Sequence, residues 1–577
     1  SDEGIGRLCA MDEDAVRSMR MKENIRPTYK MVDTCAGEFT ARTPYYYSTY
    51  ESENESVRSA KKKVVIIGSG PIRIGQGIEF DYCCCHASFC LKKLGIESII
   101  INNNPETIST DFDTSDKLYF EPLAFEEVFS IIEHENPYGV IVQLGGQTSI
   151  NLAERLHERG VNILGTPISG IDLAEDREKF RELSTRLGIK QPANGTAVNK
   201  TQALAQGRRI GYPVVVRPSY VIAGRGMQIV YNDQELEEYI EEAVDVSEKR
   251  PVLIDQYVDR AIECEIDGVS DGHELWVAGI MEHIERAGVH SGDASCVTPP
   301  VRLKKEVQKK ILDDSRKIAK ALGIIGAINI QYVVKNDEVI ILEANPRASR
   351  TMPYLSKATG IPIVQLATRA MLGEKLADMK VSEPRPNYFS VKSVVFPFLK
   401  LRGVDFVLGP EMKSTGESMG VDEHFALAYY KSLRGANLKL PMEGTIAFSL
   451  KDGDKERLLP VAKKLMGMGY RIAATPGTAR ELDGLEVKVL KKLKDGSPNL
   501  VSEIKAGRVG MVINTPSKGG KSYTDGFAIR RAALEANIPC ITNFEAAEAL
   551  VDALEEAKMG EIEPKSLQEY WKPKKEG

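Results

Sequence analysis

Short apolar runs separated by glycine-rich turns and helical stretches recur between residues 61 and 175. The run at 64–67 has the length of a buried strand, and the turn GSGPIRIGQG leads from it toward a predicted helix at 83–94. Further strands are predicted at 98–101 and 139–143, with helices between them. Because strands that alternate with helices are typical of a parallel sheet, we predict an α/β domain over 61–175.

The glycines of that turn do not by themselves identify a ligand. Gly68, Gly70 and Gly75 depart from the dinucleotide fingerprint, in which the third glycine follows the second by three residues. Tight strand-to-helix turns account for them equally well. A nicotinamide site is therefore the weaker alternative here.

After residue 176 the pattern changes to mixed strands and long amphipathic helices. Gly323 closes a helical stretch at 306–322, which we expect to pack on a sheet. Its apolar positions are Val307, Ile311, Ile318, Ala319 and Leu322. We predict this α+β domain over 176–385 and a connecting region over 386–439.

A second, smaller α/β pattern begins near residue 440. Predicted strands at 444–448, 471–474 and 510–514 each lead into turns rich in Gly, Thr, Ser and Pro, which predicts a separate doubly wound domain over 440–577. Residues 1–60 are polar and end in ESENESVRSAKKK, which predicts a small segment followed by a linker. The chain is therefore expected to be a multidomain α/β and α+β protein.

Composition narrows the function classes. A chain of 577 residues with 42% hydrophobic and 27% charged residues is long enough for three or four globular domains. Its net charge of −6 argues against nucleic acid as the main partner. Nine cysteines without CxxC spacing indicate reduced, buried thiols. No apolar run reaches the ~20 residues of a membrane span and the N-terminus lacks signal-peptide features, so we expect a cytoplasmic protein without membrane contact.

The segment INIQYVVKNDEVIILEANPRASR carries the clearest candidate chemistry. Two β-rich runs flank Asn336-Asp337, which predicts an antiparallel hairpin. Folding about this turn brings Gln331 within about one residue of the position opposite Glu343, and Glu343 shares a strand face with Asn345. Carboxylate and amide oxygens are ligands that Mg²⁺ accepts. A half-buried polar strand end is the alternative.

Arginines and a glycine-rich run add features of phosphate chemistry. Arg347 and Arg350 follow the hairpin and suit an anionic substrate or a transferring phosphoryl group. Arg217 ends a predicted buried strand, and the run at 221–227 is expected to act as a mobile lid over phosphates. An ordinary hairpin turn would explain the glycines of that run but not the arginine.

Two segments between these features suit a nucleotide. The run VLIDQYVDRAIECEIDG offers Gln256 beside an adenine and Glu263 for a ribose hydroxyl, with a surface salt bridge as the alternative for the glutamate. In IMEHIERAGVHSGD, His290 stands close to Gly288 and Ser291. A hydrogen-bonding histidine that lines a nucleotide pocket is favoured over a catalytic one.

These strings, together with GPIRIGQGIEFDY, NNNPETISTDFDTSDKLYFEPL, QLGGQT and EDREKF, resemble the C-terminal half of the carbamoyl-phosphate synthase large chain family through nearly the whole sequence. In that family two ATP-grasp halves act in turn, and the second phosphorylates carbamate with ATP to give carbamoyl phosphate for pyrimidine and arginine biosynthesis. The resemblance implies a pre-ATP-grasp domain, an ATP-grasp domain and a methylglyoxal-synthase-like allosteric domain.

The resemblance also implies roles for individual residues. The ligands of Mg²⁺ or Mn²⁺ would be Gln331, Glu343 and Asn345, with K⁺ as a further candidate ion. Arg217, Arg347 and Arg350 would act on the substrate and the transferred phosphoryl group. ATP would be held by Arg177, Arg217, Gln256, Val258, Glu263, Gly288, Val289, His290, Ser291, Gln331 and Glu343.

Partners and regulation follow from the same resemblance. Residues 1–60 would be the tail of a helical oligomerisation domain, and the N-terminal half and a glutamine-hydrolysing small chain would be separate partners in an oligomer. A nucleotide effector of the UMP or IMP type would bind the last domain, which we expect to be dispensable for chemistry. The effector residues would be Lys455, Thr475, Thr478, Lys492 and Asn514. Pro516 departs from the family pattern and weakens the UMP assignment.

Two other functions fit parts of the sequence. The hairpin alone would suit another ATP-grasp carboxylate ligase, of the biotin carboxylase or purine-synthesis type. A regulatory or scaffolding half without its own turnover is the second alternative. The intact set of polar residues and arginines argues against an inactive site.

Overall fold

The computed structural model describes residues 1–74, 76–218, 226–246, 251–381, 383–384, 386–398, 405, 407–516, 525–560 and 562–572. The predicted lid residues 221–225 and Gly75 lie outside these ranges. The described residues form four sheets. None of the described helices is both long and apolar enough to cross a membrane.

The first sheet has seven strands in the order β1-β2-β5-β4-β3-β6-β7 and is parallel except for the β1–β2 pair. Its strands are β1 (Thr28–Met31), β2 (Tyr45–Thr49), β3 (Lys63–Ile67), β4 (Glu97–Asn102), β5 (Lys117–Phe120), β6 (Gly139–Ile141) and β7 (Ile163–Leu164). The helices are α1 (Asp2–Cys9), α2 (Glu13–Lys22), α3 (Ile78–Lys93), α4 (Phe125–Glu135), α5 (Gly146–Ile150), α6 (Ala153–Glu158) and α7 (Ile168–Glu175), with a 3-10 turn at Ile108–Thr110. The predicted parallel α/β architecture is confirmed.

The N-terminal segment differs from the predicted linker, because β1 and β2 extend this first sheet. Tyr29 and Tyr46 are buried in its core against Tyr119, with ring centroids 5.0 and 5.5 Å apart. The run of tyrosines at 45–47 thus lies on a strand of this sheet, with Tyr46 in the core. Before Thr28 the segment is helical, in α1 and α2, and its assignment to an oligomerisation domain stays a prediction.

A small antiparallel sheet follows, in the order β10-β9-β11-β8. Its strands are β8 (Asn194–Ala197), β9 (Val214–Pro218), β10 (Gln228–Val230) and β11 (Val252–Gln256), and its helices are α8 (Arg177–Arg186), α9 (Lys200–Ile210) and α10 (Asp233–Val246). Alanine, valine and leucine side chains of α9, α10 and the strands form a core of their own. The sheet is therefore a separate lobe.

The third sheet is antiparallel and runs in the order β16-β15-β12-β13-β14-β17-β18. Its strands are β12 (Ile262–Asp271), β13 (Leu275–Arg286), β14 (Cys296–Thr298), β15 (Ile325–Lys335), β16 (Glu338–Asn345), β17 (Phe389–Val395) and β18 (Gly416–Asp422). The helices are α11 (Lys305–Ala321), α12 (Met352–Thr359), α13 (Ile363–Met371), α14 (Leu376–Met379) and α15 (Phe425–Gly435). Since β17 and β18 belong to this sheet, these two parts of the region predicted as a connection from 386 to 439 extend the same layer.

The fourth sheet is parallel, in the order β21-β20-β19-β22-β23, as predicted for a doubly wound domain. Its strands are β19 (Thr445–Ser449), β20 (Arg471–Ala474), β21 (Val487–Val489), β22 (Met511–Asn514) and β23 (Cys540–Ile541). The helices are α16 (Asp452–Lys455), α17 (Leu458–Gly467), α18 (Pro476–Ala479), α19 (Leu500–Lys505), α20 (Asp525–Glu535), α21 (Phe544–Met559) and α22 (Leu567–Trp571), with 3-10 turns at Arg480–Leu482 and Leu493–Asp495.

The C-terminal domain shares one hydrophobic core with the third sheet. Ile284 and Val391 of that sheet and Tyr429 of α15 belong to the same buried cluster as Phe544 and Leu550 of α21. Removing the chain from residue 440 would expose this apolar surface to water, which is unfavourable. We therefore expect a truncation at residue 440 to destabilise the third sheet, although the sequence predicted that this domain is dispensable for chemistry. Point substitutions test regulation without that loss of stability.

Candidate active site

The hairpin β15–β16 turns through Asn336 and Asp337, whose φ angles of 52° and 65° both lie in the left-handed region that a two-residue turn needs. Lys335 pairs with Glu338 next to the turn. A β-bulge then shifts the register so that Gln331 lies opposite Glu343. The predicted hairpin is confirmed, and the bulge removes the offset of one residue left by the sequence pattern.

The bulge gathers the predicted metal ligands on one sheet face. Asn345 lies opposite Asn329, and its amide nitrogen donates to Glu343 Oε1 at 3.1 Å and to Asn329 Oδ1 at 3.3 Å. Gln331, Glu343 and Asn345 are each partly exposed. Their oxygen atoms are thus held close together at a surface that a ligand can reach.

Buried acidic residues on β12 extend this face, and sequence reasoning missed two of them. Glu265 pairs with Gln331 across the sheet, and Asp267 pairs with Asn329. Asn329 donates to Glu265 Oε2 at 2.9 Å. The alternation in ECEID, which places Glu263, Glu265 and Asp267 on one strand face, is the signal that could have revealed them. We call the set Glu263, Glu265, Asp267, Asn329, Gln331, Glu343 and Asn345 the polar face.

Carboxylates outnumber cations on the polar face. Burial raises the pKa of Glu263 and of Asp267 to about 7. His283 Nε2 lies 3.5 Å from Glu265 Oε1. Burial alone would lower the pKa of His283, but the contact with Glu265 outweighs burial and raises that pKa. One oxygen each of Glu265 and Asp267 is buried without a hydrogen-bond partner among the described residues. Such a face favours a cation.

The segment 288–291 borders the polar face. Gly288 has a φ of 95°, and a Cβ there would lie 2.6 Å from the Tyr257 ring. Its amide donates to Glu263 Oε2 at 3.4 Å, and Gln331 donates to Ser291 Oγ at 3.5 Å. These contacts place the predicted nucleotide residues, including the buried Val289, next to the predicted metal ligands.

His290 has the environment of a neutral histidine. Its Nδ1 accepts a hydrogen bond from the Gly292 amide at 3.0 Å, so the proton of the neutral ring lies on Nε2. Burial lowers its pKa. This fits the predicted hydrogen-bonding role better than a general base.

Arg177 and Arg217 meet at one carboxylate in the small lobe. Arg177 donates to both oxygens of Asp255 at 3.0 and 2.8 Å, and Arg217 Nε lies 3.7 Å from the same group. Arg217 Nε has no hydrogen-bond partner among the described residues. Gln256 follows Asp255 on β11 and is exposed. The two cations therefore lie together on one face of this sheet, and Gln256, the next residue of the strand, points to the other face.

An apolar group lies beside Glu263. Val258 and Leu342 are partly buried and pack against Ala261 and Val333. Leu342 is the extra residue of the bulge, and sequence reasoning did not single it out. A partly exposed apolar surface beside polar groups is the usual lining of a ligand pocket.

The two arginines after the hairpin do not form one clamp. Arg347 Nη2 donates to Asn345 Oδ1 at 3.3 Å, and its Nε donates to Gln147 Oε1 at 3.1 Å. Arg350 instead pairs with Glu79 of the first domain at 2.9 Å. Arg347 therefore lies at the polar face, whereas Arg350 bridges two domains.

The predicted effector residues gather at one edge of the fourth sheet. Thr475 follows β20 and Asn514 ends β22, and these two strands flank β19 in the parallel sheet, so that all three end at the same edge. Thr475 Oγ1 donates to the buried Thr478 at 3.2 Å. Lys455 Nζ lies 3.4 Å from the Cβ position of Gly477. Lys492 is exposed at the start of the turn after β21.

The donor set of the polar face suits a hard cation. Its partly exposed hairpin residues offer one carboxylate, from Glu343, and two amides, from Gln331 and Asn345. Oxygen donors of this kind fit Mg²⁺ when phosphates and water complete the shell. Among the described residues, no group of three His, Cys, Asp or Glu side chains is arranged to hold a metal ion.

Comparison with known families gives three matches along the chain. Residues 60–173 match the carbamoyl phosphate synthase preATP-grasp domain. Residues 176–379 match the ATP binding domain of the carbamoyl-phosphate synthase L chain. Residues 457–542 match the MGS-like domain.

Curated relatives match almost the whole chain. The carbamoyl phosphate synthase large chain of Methanothermobacter thermautotrophicus is 54% identical over 99% of this chain, which covers 54% of that protein. The C-terminal section of the large chain from Methanocaldococcus jannaschii is 54% identical, and the match covers 96% of it. The chain thus spans about half of the long relative and nearly all of the short one.

Solved structures show the same fold at low identity. The biotin carboxylase domain of the Hydrogenobacter thermophilus 2-oxoglutarate carboxylase, in complex with MgADP and bicarbonate, matches with a TM-score of 0.52 and 19% identity. The match covers 65% of this chain and 90% of that one. At this identity the likeness concerns the fold.

Proposed function

The chain belongs to the carbamoyl phosphate synthase large chain family, and from this premise we propose that it is the half that phosphorylates carbamate with ATP to give carbamoyl phosphate. The observation that carries the proposal is the register of the hairpin, which brings Gln331, Glu343 and Asn345 together beside Arg347. We propose ATP and Mg²⁺ as cofactors, with Mn²⁺ and K⁺ as further ions.

The polar face and the segment 288–291 would hold the metal and the nucleotide. Bound Mg²⁺ would neutralise charge on the phosphates. Gln331 is suited to orient both partners, since it lies between Ser291 and Glu343. Val258 and Leu342 would cover the base, and Arg177, Arg217 and Gln256 would face the nucleotide from the small lobe.

Arg347 is the residue we propose to hold the anionic substrate. Its contacts with Asn345 and Gln147 fix the guanidinium at the boundary of two domains. A fixed, planar donor stabilises negative charge that develops during transfer. Arg350 would act further along the domain interface, where Glu79 holds it. Burial around these groups would keep water from the labile carbamate.

The partners are proposals from the longer relatives. We propose that the N-terminal half and a glutamine-hydrolysing small chain complete the enzyme, in an oligomer in the cytoplasm. A nucleotide of the UMP or IMP type would bind at the edge formed by Thr475, Thr478, Lys492, Asn514 and Lys455.

Synthesis of ATP from ADP and carbamoyl phosphate by this chain alone tests the catalytic proposal. We expect turnover that needs Mg²⁺ and that the Glu343→Gln variant lacks. A wild-type chain without turnover would favour a scaffolding half. Turnover only with a different acyl phosphate would favour another carboxylate ligase.

Calorimetry with UMP and IMP tests the effector site. We expect one of them to bind the intact chain and the Thr475→Ala, Lys492→Ala double variant to lose that binding. Equal binding to both proteins would place the effector elsewhere.

A further inference from the structure

Arg530 links the edge of the fourth sheet to the rest of the chain. It lies on α20 and is 4% exposed. Its Nη1 donates to Asn514 Oδ1 at 2.7 Å, and its Nε donates to Asp405 Oδ1 at 2.8 Å. A second bond joins Nη2 to the other oxygen of Asp405. One buried guanidinium therefore contacts a proposed effector residue and a residue outside the domain.

We use the name linking loop for Asp405 together with residues 407–414. Lys413 Nζ donates to the backbone oxygens of Asp405 at 3.1 Å and of Val407 at 2.7 Å. The Lys413 amide donates to Asp293 Oδ2 at 2.8 Å, and the Ser414 amide donates to Asp293 Oδ1 at 2.9 Å. The loop is thus tied to a fully buried carboxylate.

Asp293 ends the segment that borders the polar face. The His290 amide donates to the Gly409 oxygen at 2.8 Å, and Ser414 Oγ donates to the Gly292 oxygen at 3.0 Å. The Asp293 amide donates back to the His290 oxygen at 2.8 Å. The linking loop therefore holds the segment 288–293 through backbone and side-chain hydrogen bonds on several sides.

We propose that Arg530 and Asp405 are positioning residues that set the nucleotide segment 288–293 through the linking loop, and that an effector anion near Asn514 acts by drawing Arg530 away from Asp405. The proposal rests on the proposed effector site. The Arg530 guanidinium would have two alternative anionic partners, the Asp405 carboxylate and the phosphate of the effector. A charge-assisted pair with one of them weakens the pair with the other. The proposal therefore requires two discrete arrangements of this side chain, of which the structure contains the one paired with Asp405.

This arrangement predicts a reciprocal effect. If the effector lowers nucleotide affinity through Arg530, bound nucleotide must lower effector affinity by the same factor. Such couplings are typically about 5- to 150-fold. A substitution that separates Arg530 from Asp405 should bring this coupling factor to about one, while the effector and the MgADP both still bind.

The experiment uses the full chain and the variants Asp405→Asn and Arg530→Lys. The first keeps the shape of the side chain and removes its charge. The second keeps the charge and loses the two-pronged geometry. Arg457→Gln is the matched control, because Arg457 pairs with Glu545 and Glu548 within the same domain. Thermal unfolding establishes that each variant is folded.

Two quantities are measured: binding of UMP and IMP by calorimetry with and without saturating MgADP, and the KM for ADP in ATP synthesis with and without the bound effector. In the wild type and in Arg457→Gln we expect the same coupling, about 5-fold or more. In Asp405→Asn we expect the effector to bind with a coupling factor near one, a several-fold higher KM for ADP and a nearly unchanged kcat. We expect the coupling factor and the KM for ADP of Arg530→Lys to lie between those of the wild type and those of Asp405→Asn.

Two results would overturn the inference and are distinguishable. An Asp405→Asn variant with wild-type coupling would exclude the relay while leaving the effector site intact. A wild-type chain that binds neither nucleotide would remove the effector site on which the inference rests.

Discussion

Two regions of the molecule bury carboxylates in opposite ways. In the first domain, Glu135 at the end of α4 is fully buried, and Lys117 Nζ and Lys63 Nζ lie 2.6 and 3.2 Å from its carboxylate oxygens. Burial alone would raise the pKa of Glu135, but the bonds from Lys117, Tyr119 and Lys63 outweigh it and lower that pKa. At Glu263 and Asp267 of the polar face, by contrast, burial outweighs the other contacts and raises the pKa to about 7. At Glu265 between them, burial is again outweighed, and contacts with His283 and Asn329 lower the pKa.

The difference separates a structural site from a functional one. Glu135 has all its partners within the domain, so its charge is neutralised without a ligand. On the polar face, acidic groups outnumber local cations, and one oxygen each of Glu265 and Asp267 has no hydrogen-bond partner among the described residues. A fold that leaves charges incompletely paired is less stable than it could be, and such exceptions are expected at functional sites.

The largest effect should come from Glu343→Gln, which tests the functional side of this comparison. The substitution keeps the shape of a proposed metal ligand and removes its charge. We expect activity to fall by about 10²- to 10³-fold, with thermal stability unchanged. Near-normal ATP synthesis at saturating Mg²⁺ would contradict the ligand assignment.

Glu135→Gln tests the structural side of the comparison, and it should lower stability and leave activity unchanged. It leaves Lys63 and Lys117 buried without a counter-charge, which we expect to cost about 3 kcal/mol of unfolding free energy. The kcat of the folded fraction should not change. Urea denaturation followed by circular dichroism measures the loss, and Glu133→Gln is the matched control because Glu133 is half-exposed. Similar stability of the two variants would refute the comparison.

Arg347→Lys asks whether the polar face needs a planar cation or merely a positive charge. Lysine is a point charge and cannot contact Asn345 and Gln147 with the same geometry. We expect kcat/KM to fall by about 10- to 100-fold, read as the loss of one positioned charge. Arg316→Lys, on the exposed side of α11, is the control and should have no effect. Full activity of the Arg347 variant would remove it from the site.

The smallest effect concerns pH. Burial raises the pKa of Glu285 to about 7, above its unfolded value of 4.5. The folded chain then binds a proton that the unfolded chain has lost, so this group lowers stability as pH rises from 4.5 through 7. Between pH 5.5 and 8 the change is about 2 kcal/mol. Glu263 and Asp267 titrate in the same range, so we expect Glu285→Gln to reduce the total decline in urea denaturation by this amount, and an unaltered decline would show that the Glu285 carboxyl is ionised throughout.

Local patterns predicted the parts of the fold that depend on neighbouring residues. The turn pair Asn336-Asp337 predicted the hairpin, because both residues tolerate a positive φ. The bulge was not predictable, since it depends on packing of Leu342 against residues from three other segments. The pairing of β2 with β5 and of β14 with β17 joins residues far apart in sequence, such as Tyr45 with Leu118 and Thr298 with Ser390, which periodicity does not reveal.

The same limit applies to the site. Gln331, Glu343 and Asn345 follow from one hairpin, so the sequence pattern was sufficient to group them. The partner of Arg350 is Glu79, 271 positions away, and no local pattern connects the two. Asp405 and Arg530 likewise meet only in the folded chain.

The core shared by α15, α21 and the third sheet has a consequence for how the chain melts. Two domains that share buried side chains unfold as one cooperative unit, because neither can open without exposing the other. A ligand that binds only the folded state raises the unfolding free energy of the whole unit. A nucleotide at the fourth sheet should therefore raise the melting temperature of the catalytic layer as well, and scanning calorimetry should record one transition for both.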